Sequence, residues 1–235
     1  MAARKTHSRH TLEIDGRAVP LVVRRHPQAR RLILRIADDG RGAVVTIPKW
    51  AAFAEGVDMA TRKTAWIKRQ LAKQPETVAF VDGAHVPLLG DTHVIRHCPD
   101  GRGVQKTDGE IIVAGREEHL SRRLRDWLKA RARAEISVRA HEKAHRIDKR
   151  IGRITVRDTK SRWGSCTAGG NLNFSWRLVL APEFVLDYVV AHEVAHLHHR
   201  DHSAAFWTLA ASLTERLEQA RDWLHAYGRD LHKYG

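Results

Sequence analysis

Two histidines four residues apart, with a glutamate directly after the first, stand in the stretch Ala191-His192-Glu193-Val194-Ala195-His196. On a helix, His192 and His196 lie one turn apart on the same face, with about 5–6 Å between their Cβ atoms. Two imidazoles at that spacing can share one zinc ion. Glu193 lies beside them, able to reach a water on the ion without ligating it. The chemistry on offer is hydrolysis by an activated water, with a peptide bond as the first expected target.

The surroundings suit a helix. Pro182 fits a first turn, and Val185, Leu186, Tyr188, Val189, Val190, Val194 and Leu197 make the segment broadly apolar. Leu186, Val190, Val194 and Leu197 form a stripe on the side away from His192 and His196. A buried helix does not take in two histidines and a glutamate without partners for them. A third ligand is open on spacing alone. Arg200-Asp201-His202-Ser203 reads as a break with Ser203 capping a new helix, and a turn there would bring His202 back to the pair. His199, three residues after His196, and Glu215, on the following helix, compete with it.

The short motif has limited weight by itself. The chain holds 16 histidines, and chance yields such a pattern in roughly one chain in twenty of this kind. A second literal copy, His141-Glu142-Lys143-Ala144-His145, sits in a highly charged helical segment with basic neighbours and no well-spaced third histidine. That is a poor setting for a cation.

The chain has 235 residues, enough for one large or two small domains with a real core. A hydrophobic share of 43% excludes a disordered chain. Lys and Arg outnumber Asp and Glu by 41 to 27, a net charge of +14. That excess raises nucleic acid or another polyanion as a partner, although a basic solvated surface accounts for it more simply. Two cysteines, Cys98 and Cys166, with no Cys-x-x-Cys, argue against a disulfide scaffold and fit a reducing cytosol. The basic start leads into no apolar signal segment. No run of about 18 apolar residues occurs to span a membrane.

The elements that must position the histidines follow from patterning. Thr11–Ile14 and Val19–Val23 flank the hairpin signal Asp15-Gly16, and the first residues, to about Arg9, read as loose. Strands follow at Arg31–Ile36 and Ala43–Ile47 across Gly40-Arg41-Gly42. A helix is expected from about Asp58 to Lys73, broken by Gln74-Pro75. A strand pair around Gly90-Asp91 and a strand at Glu110–Ala114 come next. After Gly115 comes a long helical segment, single or kinked. Between Arg116 and Arg150 it holds 12 Lys and Arg against 6 Asp and Glu, so it could lie along phosphates. Ile154–Asp158 and Leu172–Phe174 read as strands around Gly169-Gly170. The last helix is expected to run from Ser203 to about Tyr227, stopped by Gly228. The strand pair before the histidine helix, with Trp163, Gly164 and Ser165, is a candidate wall for an extended substrate, since a strand edge can bind a peptide backbone.

The runs Ser161-Arg162-Trp163-Gly164-Ser165-Cys166, Asn171-Leu172-Asn173, Leu180-Ala181-Pro182, Asp187 to His196, His202-Ser203 and Phe206-Trp207 together carry a family resemblance. The chain resembles the YgjP-like zinc metallopeptidases, which are close to the SprT-like and WLM-type peptidases. Weaker features, Arg30-Arg31, Trp66-Ile67 and Leu89-Gly90, extend the likeness over most of the chain. The resemblance implies an α+β fold, a minimal zincin-like core of active-site helix and small β-sheet with an N-terminal β-rich part. The expected division is residues 10–115 for the β-rich part and 116–235 for the catalytic part. It implies His192, His196 and His202 as zinc ligands, Glu193 as the catalytic base, and a peptide or protein substrate. It also keeps open a nucleic-acid-associated protease of the SprT or WLM kind, or a nucleic-acid binder with a structural metal.

Overall fold

The computed structural model of the protein describes residues 6–37, 40, 42–73 and 77–235. Arg41 of the expected turn, the Gln74-Pro75 break and residues 1–5 lie outside them. The fold is mixed α+β, in two compact units, 1–74 and 75–235. The segment 75–115 therefore shares a unit with the histidine helix, and the N-terminal unit ends well before residue 115.

In the first unit β1 (His7–Ile14) and β2 (Arg17–Arg25) form an antiparallel hairpin. Asp15 and Gly16 both have positive φ, 52° and 71°, as a two-residue turn that follows strand twist requires. β1 begins earlier than its polar sequence suggests, because β2 is long enough to pair His7 with Arg24. β3 (Ile33–Ile36) and β4 (Ala43–Ile47) complete a sheet of order β1-β2-β4-β3. Central β4 is buried throughout. The expected single helix is two, α1 (Phe53–Arg62) and α2 (Thr64–Ala72), broken at Lys63. α1 starts ahead of its apolar repeat because the Glu55 carboxylate accepts the Ala52 N–H at 2.7 Å, half of a capping box.

The second unit opens with β5 (His85–Leu88), β6 (Asp91–Cys98), β7 (Val104–Lys106) and β8 (Glu110–Ala114), in the order β5-β6-β8-β7. α3 (Leu120–Arg146) is one unbroken helix. Leu120, Leu124, Leu128, Ala132, Ile136, Ala140 and Ala144 recur every four residues and are all buried. They give α3 one continuous apolar stripe against the core.

β9 (Ile154–Arg157), β10 (Gly164–Cys166) and β11 (Leu172–Ser175) form a small sheet of order β10-β11-β9, with β10 at an edge. A 3₁₀ segment, Trp176–Leu180, leads to α4 (Glu183–Ala195), which nine buried side chains embed in the core. α5 (Ala204–Ser212), α6 (Leu217–Tyr227) and a 3₁₀ turn, Gly228–Lys233, end the chain.

The expected long C-terminal helix is thus interrupted at Leu213–Arg216, and the cause is tertiary. Buried Lys143 of α3 donates to the Leu213 carbonyl at 2.6 Å and pairs with Asp187 of α4 at 2.8 Å. Thr214 donates to the same carboxylate at 2.7 Å, and Arg146 takes the Ser212 carbonyl at 2.5 Å. Carbonyls satisfied from outside need no continuing helix. Gly228 does not cap α6 in the left-handed form, since its φ is −56°. It is small because a Cβ there would sit 3.3 Å from the Trp163 ring.

Removing one member of this network leaves a buried charge without its partner, which is strongly destabilising. Lys143→Ala is expected to lower unfolding free energy by about 2–4 kcal/mol, read from urea midpoints. Lys143→Met combined with Asp187→Leu is expected to lose less than Lys143→Ala. Equal losses would show that the pair is not coupled.

Candidate metal centre

α4 carries the site because its interior is apolar on nearly every side. Val185, Leu186, Val189, Val190, Ala191, Val194 and Ala195 are buried, and only His192 and His196 are half-exposed among its last residues. Pro182 lies one residue outside the helix, and its carbonyl takes the amides of Val185 and Leu186.

After Ala195 the chain makes one more loose turn, with the His198 and His199 amides both bonding the Ala195 carbonyl. Arg200 then reaches across to the β10–β11 connection, donating to the carbonyls of Thr167 and Ala168 at 2.7 Å each. The Asp201 carboxylate accepts the Ser203 amide at 3.2 Å, and the Ser203 hydroxyl accepts the Phe206 amide at 3.4 Å, starting α5. This sharp reversal returns His202 to α4.

The result is a compact triad. Ring centroids stand 4.9 Å apart for His192 and His196, 5.0 Å for His192 and His202, and 4.8 Å for His196 and His202. One nitrogen from each ring lies within 4.8 Å of the others. Nε2 of His202 is 3.1 Å from Nε2 of His192, close to the roughly 3.3 Å that two nitrogens take on one tetrahedral ion of zinc's size. Fully buried Phe206 packs beneath all three rings, with centroids at 5.0, 4.5 and 4.8 Å. Trp207 flanks His192 and His202.

The electrostatics favour neutral, ligating imidazoles. Burial, followed by the charges of His196 and His202, pushes His192 down to about 4. Burial also lowers His196. Its Nδ1 faces the His199 carbonyl at 2.9 Å. A carbonyl only accepts, so Nδ1 carries the hydrogen and Nε2 keeps its lone pair. The Nε2 atoms of His192 and His202, 3.1 Å apart, either share a proton as donor and acceptor or both turn lone pairs to a cation. The donor set therefore fits a borderline-soft divalent ion.

Glu193 is buried, and burial pushes its carboxyl up to about 7, against the opposing charge of Arg162. Gly164 lies directly against it. A Cβ on Gly164 would fall 2.5 Å from both Cγ and Oε1 of Glu193, closer than real contacts allow. A glycine is thus required at the strand position that backs this carboxylate.

The other candidates are distributed by the fold. His199 offers its carbonyl to the site, and its ring packs on His198. Glu215 lines a separate cavity with Arg139 and Lys143. His141 and His145 are exposed on α3, and among the described residues only His192, His196 and His202 form a metal-competent group. Trp163, Gly164 and Ser165 diverge. Trp163 stacks on His232 at 5.1 Å, Gly164 faces Glu193, and Ser165 turns to the opposite face of the sheet toward Asn173. Spacing did not single out Phe206 as the floor or Arg162 as a charge near Glu193. Neither has a local signal beyond its place in the family-like runs.

A model of the YgjP-like metallopeptidase domain matches residues 30–227. No curated protein and no solved structure matches the chain.

The close approach of β10 and α4 has a measurable consequence. Gly164→Ala is expected to cost about 1–3 kcal/mol by overpacking. Most of that penalty is expected to vanish when Glu193 is shortened to alanine in the same chain, as a double-mutant cycle in urea will report. An unchanged penalty in the Glu193→Ala background would place the clash elsewhere.

Proposed function

Because the chain belongs to the YgjP-like metallopeptidase family, we propose that it is a zinc-dependent peptidase in which His192, His196 and His202 hold the ion. The observation that carries this reading is the three-imidazole triangle with a buried glutamate next to its first member. Three protein nitrogens leave a fourth position for water or substrate, the usual difference between a catalytic and a structural site. Zinc held there supplies Lewis acidity, lowering the pKa of a water to about 7 and polarising a carbonyl.

The protein's own groups do the rest. Glu193 takes the proton of the attacking water at a carboxylate oxygen and returns it to the leaving amine. The packing of Phe206 beneath the rings and the His196–His199 hydrogen bond hold the imidazoles in one orientation. A polypeptide substrate fits the free side of β10. β11 occupies one edge of that strand, and among the described residues no strand pairs with the other. An added strand there would run past Gly164 and so past Glu193.

A cytosolic setting fits the free thiols of Cys98 and Cys166. Among the described residues, no helix is long and apolar enough to cross a membrane.

Metal analysis of the purified protein tests the ligand set. Wild type and His199→Ala are expected to retain zinc, and His202→Ala to lose it after dialysis at neutral pH. Glu193→Gln is expected to keep zinc while peptide hydrolysis falls by about 10²-fold or more. Cleavage by Glu193→Gln at the parent rate would end the assignment of Glu193, and zinc retained by His202→Ala at full affinity would end that of His202.

A further inference from the structure

The outer face of the β9–β10–β11 sheet, opposite the face that touches Glu193, holds a cavity of about 670 Å³. Arg153, Arg157, Lys160 and Arg162 line it, and among the described residues no carboxylate does. All four cations are exposed, and among the described residues none makes an ion pair. Other basic residues of the chain do find carboxylates. On α3, Arg122 pairs with Asp126, and Arg131 and Arg139 both pair with Glu135. The carboxylate nearest in sequence, Asp158, turns away from the cavity to Arg177 at 3.1 Å. Four like charges left together around one concavity repel one another, and an anion relieves that repulsion.

The floor is polar as well. Ser165, Asn173 and Thr155 stand in register across the three strands and form a row of hydroxyl and amide groups. Among the described residues no aromatic ring lines the cavity. Single-stranded nucleic acid is usually held by stacking its bases on such rings, which this lining does not offer. Three guanidinium groups can each take a carboxylate in a two-point contact.

We propose that this groove binds an acidic segment of the polypeptide substrate, and so sets the site's preference for glutamate- and aspartate-rich sequences near the cleavage point. The proposal rests on the peptidase reading above. Position supports it: Ser165 lines the groove directly after Gly164, which backs Glu193, and Arg162 lines it two residues before that glycine. A segment added at the free edge of β10 lies three strand spacings from β9, about 14 Å. That is roughly four residues of extended chain, so the acidic run begins about four residues from the segment held along β10.

The test uses the full-length Glu193→Gln protein loaded with zinc, which binds without cutting. Fluorescence anisotropy compares a labelled peptide carrying a glutamate run with its glutamine twin and with an oligothymidylate of equal charge. The acidic peptide is expected to bind about tenfold more tightly than its twin at low salt, the gap closing as salt rises. Arg153→Gln with Arg157→Gln is expected to abolish the gap, and the charge-matched control Arg102→Gln with Arg133→Gln to keep it. Equal binding of the two peptides, or a gap that survives in the groove variant, overturns the proposal. So does an oligothymidylate that binds in a groove-dependent way while the acidic peptide does not. Wild-type cleavage of both peptides, assayed separately, tells the two readings apart. Zinc-dependent cleavage at equal rates, with no binding gap, removes the groove alone. Groove-dependent binding without any cleavage removes the peptidase and leaves the groove as an acidic-polypeptide site.

Discussion

Polar groups buried among apolar ones destabilise a fold unless each finds a partner, and α4 is built under that constraint. Nine of its side chains are buried, and one of them is a glutamate. Two imidazoles lie half-buried on the same helix. Their partner is not on α4. It arrives from ten residues downstream, when His202 comes to 3.1 Å from His192. The surrounding structure is arranged to make that return happen and to keep it in place.

Three separate pieces of chain hold the return. Arg200 ties the reversal to the β10–β11 connection through two carbonyls. Asp201 and Ser203 start the next helix. That helix in turn brings Phe206 under all three rings. The same small sheet that Arg200 grips also presents Gly164 to Glu193. A single three-stranded element thus steadies the loop that delivers the third histidine and shapes the space around the carboxylate.

The far end of α4 is governed by a different buried network. Lys143, Asp187 and Thr214 join α3 and α4 to the α5–α6 connection and set where α5 gives way to α6. Closer to the C-terminus, the buried Arg177 guanidinium bonds Asp158 and the carbonyls of Leu231 and Tyr234. It fastens the final 3₁₀ turn, which puts His232 on Trp163. Both networks lie away from the histidines but fix the elements that carry or flank them.

The sequence alone determined α4, its two histidines and its glutamate, because a helical period read over a strongly apolar run depends only on local spacing. The α3 stripe and the Asp15-Gly16 hairpin were legible for the same reason. Spacing could not choose among His199, His202 and Glu215, since all three lie within reach of a turn whose path is not local. Family likeness pointed to His202, and the reversal pinned by Arg200 and Asp201 brings that ring to the pair. The break between α5 and α6 was invisible because its cause, Lys143, lies 70 residues away on another helix. Two glycines carry a further constraint of this kind: Gly228, at which α6 stops, and Gly164, in the expected substrate wall, each lie against a ring or a carboxylate from elsewhere in the chain. Patterns that repeat along the chain declare themselves in sequence, whereas contacts between distant segments exist only once the chain has folded.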